Sequence, residues 1–253
     1  MSEPAGASHT GFSIPPELIQ ALRAARSITA LTGAGISAES GIPTFRDSQT
    51  GLWANYDPRQ LATPEAFAEN PQRVLDWYRW RRSLINQAAP NPGHLALAAL
   101  ESRAPHFTLI TQNIDGLHHL AGSQNIIELH GNIHQLCCSS SQDHGLHLWS
   151  DEALPRCPTC NSLLRPAVVW FGEALSPAIL QRALQAAQHC DFFFSIGTSG
   201  IVEPAASLPF VALHAGATVV EVNPTSTPLT SYAHFHFPSP AGQFLPQLLQ
   251  ALD

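Results

Sequence analysis

The residues best suited to chemistry stand in a few short runs. One spans 33–47 and reads GAGISAESGIPTFRD. It follows an apolar stretch rich in β-branched residues, 28–32, which predicts a buried strand. Gly33 and Gly35, placed directly after a strand, let the backbone turn tightly and approach a ligand with no Cβ in the way. Backbone N–H groups at the start of the next helix suit a pyrophosphate. Gly33-Ala34-Gly35-Ile36-Ser37-Ala38 fits the dinucleotide pattern G-x-G-x-x-A, which taken alone is equally an ordinary turn. A standard unit of that kind continues into a long helix and places an acidic ribose contact about 20 residues on. Here that distance falls near Trp53, amid Gly51, Asn55 and Pro58. The sequence therefore predicts a modified phosphate site, with a loop where a helix usually stands.

Polar residues recur just past the other expected strands. Gln112, Asn113 and Asp115 follow a strand at 107–110, His130 follows one at 126–129, Thr198 and Ser199 follow 191–196, and Asn223 follows 217–222. Any one of these reads as a turn. Four of them beside the glycine loop converge on one crevice if the strands run parallel, because ligands sit at the carboxyl ends of such a sheet.

The elements that must carry these residues fit that condition. Helices are expected from the proline pair at 15–16, over 64–70, 73–87, 92–102 and 177–189, and from about 242 to 251, with a further strand at 163–170. Strands alternate with helices and several strands are continuously apolar. Both features predict an α/β fold: a Rossmann-like parallel sheet with helices on both faces.

Composition narrows the class. The chain has 253 residues, enough for one large domain with a smaller insertion. Only 12% of residues are charged and the net charge is −7, which speaks against a nucleic-acid partner. All 12 basic side chains are arginine, so the chain offers no side-chain ε-amine. No apolar run is long enough to span a bilayer, and residues 1–10 lack the basic start and apolar core of a signal peptide. Four of the five cysteines fall between 137 and 160, including the pair Cys157-x-x-Cys160. Such clustering favours metal over disulfides, hence a reducing, cytoplasmic setting.

Together these motifs resemble the sirtuins, the NAD-dependent protein-lysine deacylases. The resemblance rests on GAGISAESGIPTFRD, TQNIDGLH, ELHG, VVWFGE, GTS followed by Val202-Glu203-Pro204-Ala205, and EVN, in that order. It covers roughly 27–249. It implies an NAD-binding domain (1–46, 88–130 and 166–253), a cofactor loop and helical insertion (47–87) and a zinc-binding insertion (131–165). By the same resemblance NAD contacts Gly33, Ala34, Gly35, Glu39, Thr44, Phe45, Arg46, Gln112, Asn113, Ile114, Asp115, Gly197, Thr198, Ser199 and Asn223. The acyl-lysine amide oxygen attacks C1′ of the nicotinamide ribose, nicotinamide leaves, and His130 serves as general base for the ribose hydroxyls, with Asn113 and Asp115 at the catalytic centre. An imidazole suits that task because its pKa lies near the working pH. Substrate backbone is expected to add as a strand between the 171–173 segment and the loop after Ser199, with Val169, Phe171, Gly172 and Glu173 as its contacts.

Two details set this chain apart within the family. Tyr78 and Arg81 stand at i and i+3 of an expected helix, and this Tyr-x-x-Arg pair is similar to that of class III sirtuins, which remove succinyl and malonyl groups. A phenol and a guanidinium suit a carboxylate, and Ala62 matches a small residue that widens the acyl tunnel in that class. The alternative is an amphipathic helix with its arginines in solvent. Sirtuin zinc sites usually show two Cys-x-x-Cys pairs, yet here Ser141 stands at the partner position of Cys138. Cys138, Cys157 and Cys160 are the expected ligands, with Cys137, His144 or His147 as fourth, or else reduced cysteines with no metal. The zinc is expected to be structural. A monomer acting on acyl-lysine peptides is expected. The competing readings are an NAD hydrolase or mono-ADP-ribosyltransferase, and a non-catalytic NAD-binding module.

Overall fold

The computed structural model describes residues 13–43 and 57–253. The expected cofactor contacts Thr44, Phe45 and Arg46 lie outside the described residues, as does most of the expected cofactor loop. Helix α1 (Pro16–Ala24) opens on a proline, whose fixed φ suits a first turn, and buries Leu18 and Leu22. Strand β1 (Ser27–Thr32) follows, then a five-residue helix α2 (Ala34–Ala38) directly on Gly33. Where a loop is expected after the glycines there is thus a single helical turn, much shorter than in a standard dinucleotide unit.

The next helices carry their start signals in the sequence. In α3 (Pro64–Glu69), α4 (Pro71–Ile85) and α5 (Pro92–Arg103) a proline occupies the first turn. Thr63, Asn70 and Asn91 accept from the N–H groups of Ala66, Arg73 and Gly93 at 3.1, 3.0 and 2.9 Å. Each such cap contributes about 1 kcal/mol. The chain continues through β2 (His106–Thr111), α6 (Leu117–Leu120), β3 (Ile126–Glu128), β4 (Gly131–Cys138), β5 (Leu146–Leu148) and β6 (Leu164–Val168). It ends with α7 (Pro177–Gln188), β7 (Phe192–Ile196), α8 (Leu208–His214), β8 (Thr218–Val222), β9 (Phe235–Phe237) and α9 (Ala241–Leu252).

Six strands form one sheet in the order β3-β2-β1-β7-β8-β9, and every neighbouring pair is parallel. Every residue of β7 is buried, as a strand covered on both faces requires. Phe192, Phe194, Leu18, Leu97 and Phe244 pack on one face; Phe193, Ala183, Ala187 and Leu208 pack on the other. The sheet reverses direction of growth at β1, with β2 on one side and β7 on the other, and crevices open at such a switch point.

A second, antiparallel sheet has the order β5-β4-β6. The strand expected at 163–170 therefore pairs in the small sheet. Its apolar alternation could not say which sheet it joins.

A third apolar cluster unites α3 and α4 with the small sheet through Phe67, Leu75, Trp77, Tyr78, Leu136, Leu164 and Trp170. Arg79 reinforces that junction, donating to the carbonyls of Glu152 and Ala153, the latter at 2.9 Å. Trp149 also lies beneath two guanidinium groups, those of Arg79 and Arg82, at 5.6 and 5.1 Å from its ring centre. Among the described residues no helix is long and apolar enough to cross a membrane.

Candidate active site

The glycine turn is built by mutual close approach with the end of β7. Gly33 N–H donates to the Ile196 carbonyl at 3.0 Å, and Gly35 N–H to the Gly197 carbonyl at 2.8 Å. Gly197 has φ +60°, and a Cβ there would stand 2.6 Å from the Ile36 nitrogen; one on Gly35 would stand 2.7 Å from Gly197 Cα. Only residues without side chains let these two strand ends touch. The turn's first and third N–H groups thus fasten it to β7.

Around this turn the strand-end residues form one polar network. Asn113 Nδ2 donates to the Gly33 carbonyl at 3.0 Å and to Ser37 Oγ at 3.1 Å. Ser37 Oγ donates to Asp115 Oδ2 at 2.7 Å, and Asp115 Oδ1 accepts from Leu117 N–H at 2.9 Å. Asp115 is buried, so these donors satisfy a carboxylate that burial would otherwise penalise. Gln112 Nε2 donates to Thr198 Oγ1 at 2.9 Å, joining the end of β2 to the end of β7. Asn223, at the end of β8, is buried and donates to the Thr225 carbonyl at 2.8 Å.

His130 lies between β3 and β4. Its Nδ1 is 2.9 Å from the Gln112 carbonyl, which can only accept, so Nδ1 carries a proton and the lone pair of the neutral ring is on Nε2. Burial pushes the His130 pKa below the ordinary imidazole value, and the Gln112 carbonyl offsets part of that. Gly131, with φ +78°, turns the chain out of this position; a Cβ there would meet the Ala167 carbonyl oxygen at 2.1 Å. The His130 carbonyl accepts from Val169 N–H at 2.9 Å, which brings the chain leaving the small sheet against His130.

Behind this network lies a buried polar layer that the sequence reading did not single out. Thr32 Oγ1 bonds Thr111 Oγ1 and His118 Nε2, each at 2.9 Å, and the rings of His118 and His94 are 4.8 Å apart. Burial holds both imidazoles below their ordinary range, His94 at about 4 with some recovery from Asp115.

The residues expected on the acyl side lie as follows. Phe171 N–H donates to the buried Ala62 carbonyl at 3.0 Å, and the Phe171 ring is exposed. Tyr78 is fully buried, and its oxygen accepts from Trp170 Nε1 at 3.0 Å. Burial pushes the Tyr78 phenol up to about 12, with Arg81 acting in the opposite sense. Arg81, one turn on from Tyr78, is half-buried. Burial lowers its pKa, and Tyr78 and Asp115 raise it. Gly172 adopts φ +84° at the turn before Glu173.

Two of the expected contact residues also make hydrogen bonds within the protein. Glu39 Oε2 accepts from Gly242 N–H at 2.7 Å, at the N-terminus of α9. Glu173 binds Arg165, with one contact at 2.7 Å, and the Trp170 N–H at 2.8 Å, so its carboxylate holds the turn.

At the insertion, the ligand atoms of Cys138, His144, Cys157 and Cys160 all lie within 4.8 Å of one another. Three sulfurs and one imidazole suit a four-coordinate zinc. Ser140 Oγ, 3.1 Å from Cys138 Sγ and 3.3 Å from Cys160 Sγ, holds both thiols below the ordinary range, Cys160 at about 5. Of the three expected alternatives for the fourth ligand, His144 joins the cluster. Cys137 is the neighbour of Cys138 on β4, so it points to the opposite face, toward the Pro166 carbonyl.

Fold and site define a Rossmann-like α/β enzyme with a nucleotide crevice at the switch point and a metal-binding insertion. Residues 33–204 match the Sir2 family, and the chain belongs to it. A protein named NAD-dependent protein deacylase from Methylococcus capsulatus is 50% identical over 248 residues, covering 93% of this chain and 96% of its own. One of the same name from Aquifex aeolicus is 50% identical over 228 residues, covering 89% and 95%. The crystal structure of a Sir2 homolog–NAD complex superposes with a TM-score of 0.87 at 42% identity, covering 96% of each chain. A Sir2–p53 peptide–NAD complex superposes at 0.80 with 32% identity, covering 93% of this chain and 97% of that one.

Proposed function

We propose that this chain is an NAD-dependent deacylase of protein lysines whose pocket favours acyl groups ending in a carboxylate, succinyl and malonyl, over acetyl. NAD-dependent deacylation follows from the family and from relatives of that name along nearly the whole chain. The observation that carries the chemistry is the bond from His130 Nδ1 to the Gln112 carbonyl, which leaves Nε2 unprotonated beside the crevice.

NAD, as co-substrate, would supply the electrophilic ribose carbon, and with water completing the reaction the products are free lysine, nicotinamide and 2′-O-acyl-ADP-ribose. His130 Nε2 takes a proton from a ribose hydroxyl. Asn113, Ser37 and Asp115 order the glycine turn against which the co-substrate rests, and Gln112 and Thr198 brace the neighbouring strand end. Ile114, Gly197, Ser199 and Asn223 complete the contact set in this reading. Val169 and the Phe171-Gly172 backbone receive the substrate as an added strand. Zinc, held by Cys138, His144, Cys157 and Cys160, keeps the insertion folded and takes no part in the chemistry.

The acyl preference rests on Tyr78 and Arg81. The Tyr78 oxygen is already the acceptor of a hydrogen bond, and its own proton has no acceptor among the described residues. A guanidinium close enough to act on it electrostatically completes a site for an anion. We further take the protein to be a cytoplasmic monomer, with the NAD-binding part at 1–46, 88–130 and 166–253. The chain has no lysine, so it presents no side chain of the kind it acts on.

The test is mass spectrometry of acetyl-, malonyl- and succinyl-lysine peptides incubated with NAD. Faster removal of the two acidic groups supports the preference. Nicotinamide release independent of acyl peptide would favour NAD hydrolysis and refute deacylation.

A further inference from the structure

Trp170 is buried, and four interactions hold it. Its backbone N–H donates to Glu173 Oε2 at 2.8 Å. The Arg165 guanidinium lies 3.5 Å from its ring centre, and that guanidinium is itself fixed by Glu173 and by the Val168 carbonyl at 2.8 Å. The Phe67 ring stands 5.4 Å away on the helical side. The indole N–H then donates to Tyr78 Oη. An indole nitrogen only donates, so this bond dictates that the phenol oxygen is an acceptor here and that the phenol proton points elsewhere.

From this arrangement we infer that Trp170 is a positioning residue for carboxylate recognition: its indole N–H occupies the acceptor side of Tyr78 and reserves the phenol proton for the acyl group's carboxylate. This rests on the acyl preference proposed above. A phenol that accepts one hydrogen bond also donates more strongly, because bonds in a chain polarise one another. The bond further removes the freedom of the hydroxyl rotor, so less ordering remains to be done when substrate binds. The Glu173–Arg165 pair acts one step further back, holding the indole at its 41° tilt to the Tyr78 ring.

The experiment measures kcat and KM for acetyl- and succinyl-lysine peptides with the wild type, Trp170→Phe, Tyr78→Phe and the double variant. Trp170→Phe is expected to raise KM for the succinyl peptide about 3- to 10-fold, the worth of one hydrogen bond. The change in kcat, and the change on the acetyl peptide, should be far smaller. With Tyr78→Phe already present, adding Trp170→Phe should cost the succinyl substrate nothing more. Equal losses on both peptides, or a Trp170→Phe effect that persists without the Tyr78 hydroxyl, overturn the inference. If the phenylalanine variant fails to fold, benzothienylalanine placed at position 170 keeps the ring's shape and deletes only the donor, and the same outcomes apply. A wild type that does not prefer the succinyl peptide defeats the acyl preference and this inference together. A wild type that does prefer it, with an indifferent Trp170 variant, defeats this inference alone.

Discussion

His130 Nδ1 and the Gln112 carbonyl oxygen, 2.9 Å apart, fix which nitrogen of the ring can act as a base. Replacing His130 with alanine should lower kcat/KM for deacylation by about 100-fold or more, the usual worth of a general base. The protein should stay folded, as judged by its melting curve. The pKa of His130 lies below the ordinary imidazole value because the ring is buried, so the ring is unprotonated at neutral pH. The acid limb of the pH profile of kcat/KM should therefore fall below the pH at which a free imidazole titrates. A limb above that value would point to another group.

Arg81→Met should separate the substrates. Losing one charged hydrogen-bonding partner of a carboxylate should cost the succinyl peptide about 10- to 100-fold in kcat/KM and the acetyl peptide much less. Parallel measurement of both peptides checks this, and equal losses would remove the pocket from the account.

The metal cluster predicts a contrast between two residues that composition treats alike. His144→Ala should reduce the zinc content of the purified protein and lower its melting temperature, because the cluster keeps only three sulfur ligands. Cys137→Ala should leave zinc content intact, since its thiol faces the Pro166 carbonyl. Elemental analysis of both variants decides the assignment.

Acid should unfold this protein through His94 and His118. Both are buried and their folded-state pKa values are depressed, His94 to about 4 from 6.5. The unfolded chain then binds more protons than the folded one once the pH drops below 6.5, so stability falls with falling pH. For His94 that loss runs from 6.5 down to about 4, while at neutral pH both rings are neutral in either state and cost nothing. Denaturant titrations across that window check it: His94→Gln should flatten the slope, and an unchanged slope would acquit the residue.

Much of the site was legible in the sequence because strand ends announce themselves. Gly33, Gln112, Asn113, His130, Thr198 and Asn223 each follow an apolar run, and a parallel sheet gathers such ends at one rim. The pairing of Tyr78 with Arg81 on α4 was readable for a similar reason, the two being one turn apart, with Tyr78 buried and Arg81 half-buried. Three things were not. An apolar stretch such as 164–168 satisfies either sheet, and only pairing assigns it to the small one. The bond from the start of α9 to Glu39 joins positions some two hundred residues apart, and no local pattern announces it. The polarity of the Trp170–Tyr78 bond depends on a contact across 92 positions, which no local pattern records. The fourth metal ligand stood between these cases. Strand alternation alone forbids Cys137 and Cys138 from sharing a face, but placing His144 needed the turn that returns it to the sulfurs.

The contacts of Arg79 give the metal a reach beyond its own insertion. Through the carbonyls of Glu152 and Ala153, and through the indole it shares with Arg82, the helix that displays Tyr78 leans on the segment that zinc keeps in shape. Stripping the ion should thus erode discrimination among modified lysines, while the glycine turn, anchored to a separate sheet, keeps its grip on the dinucleotide.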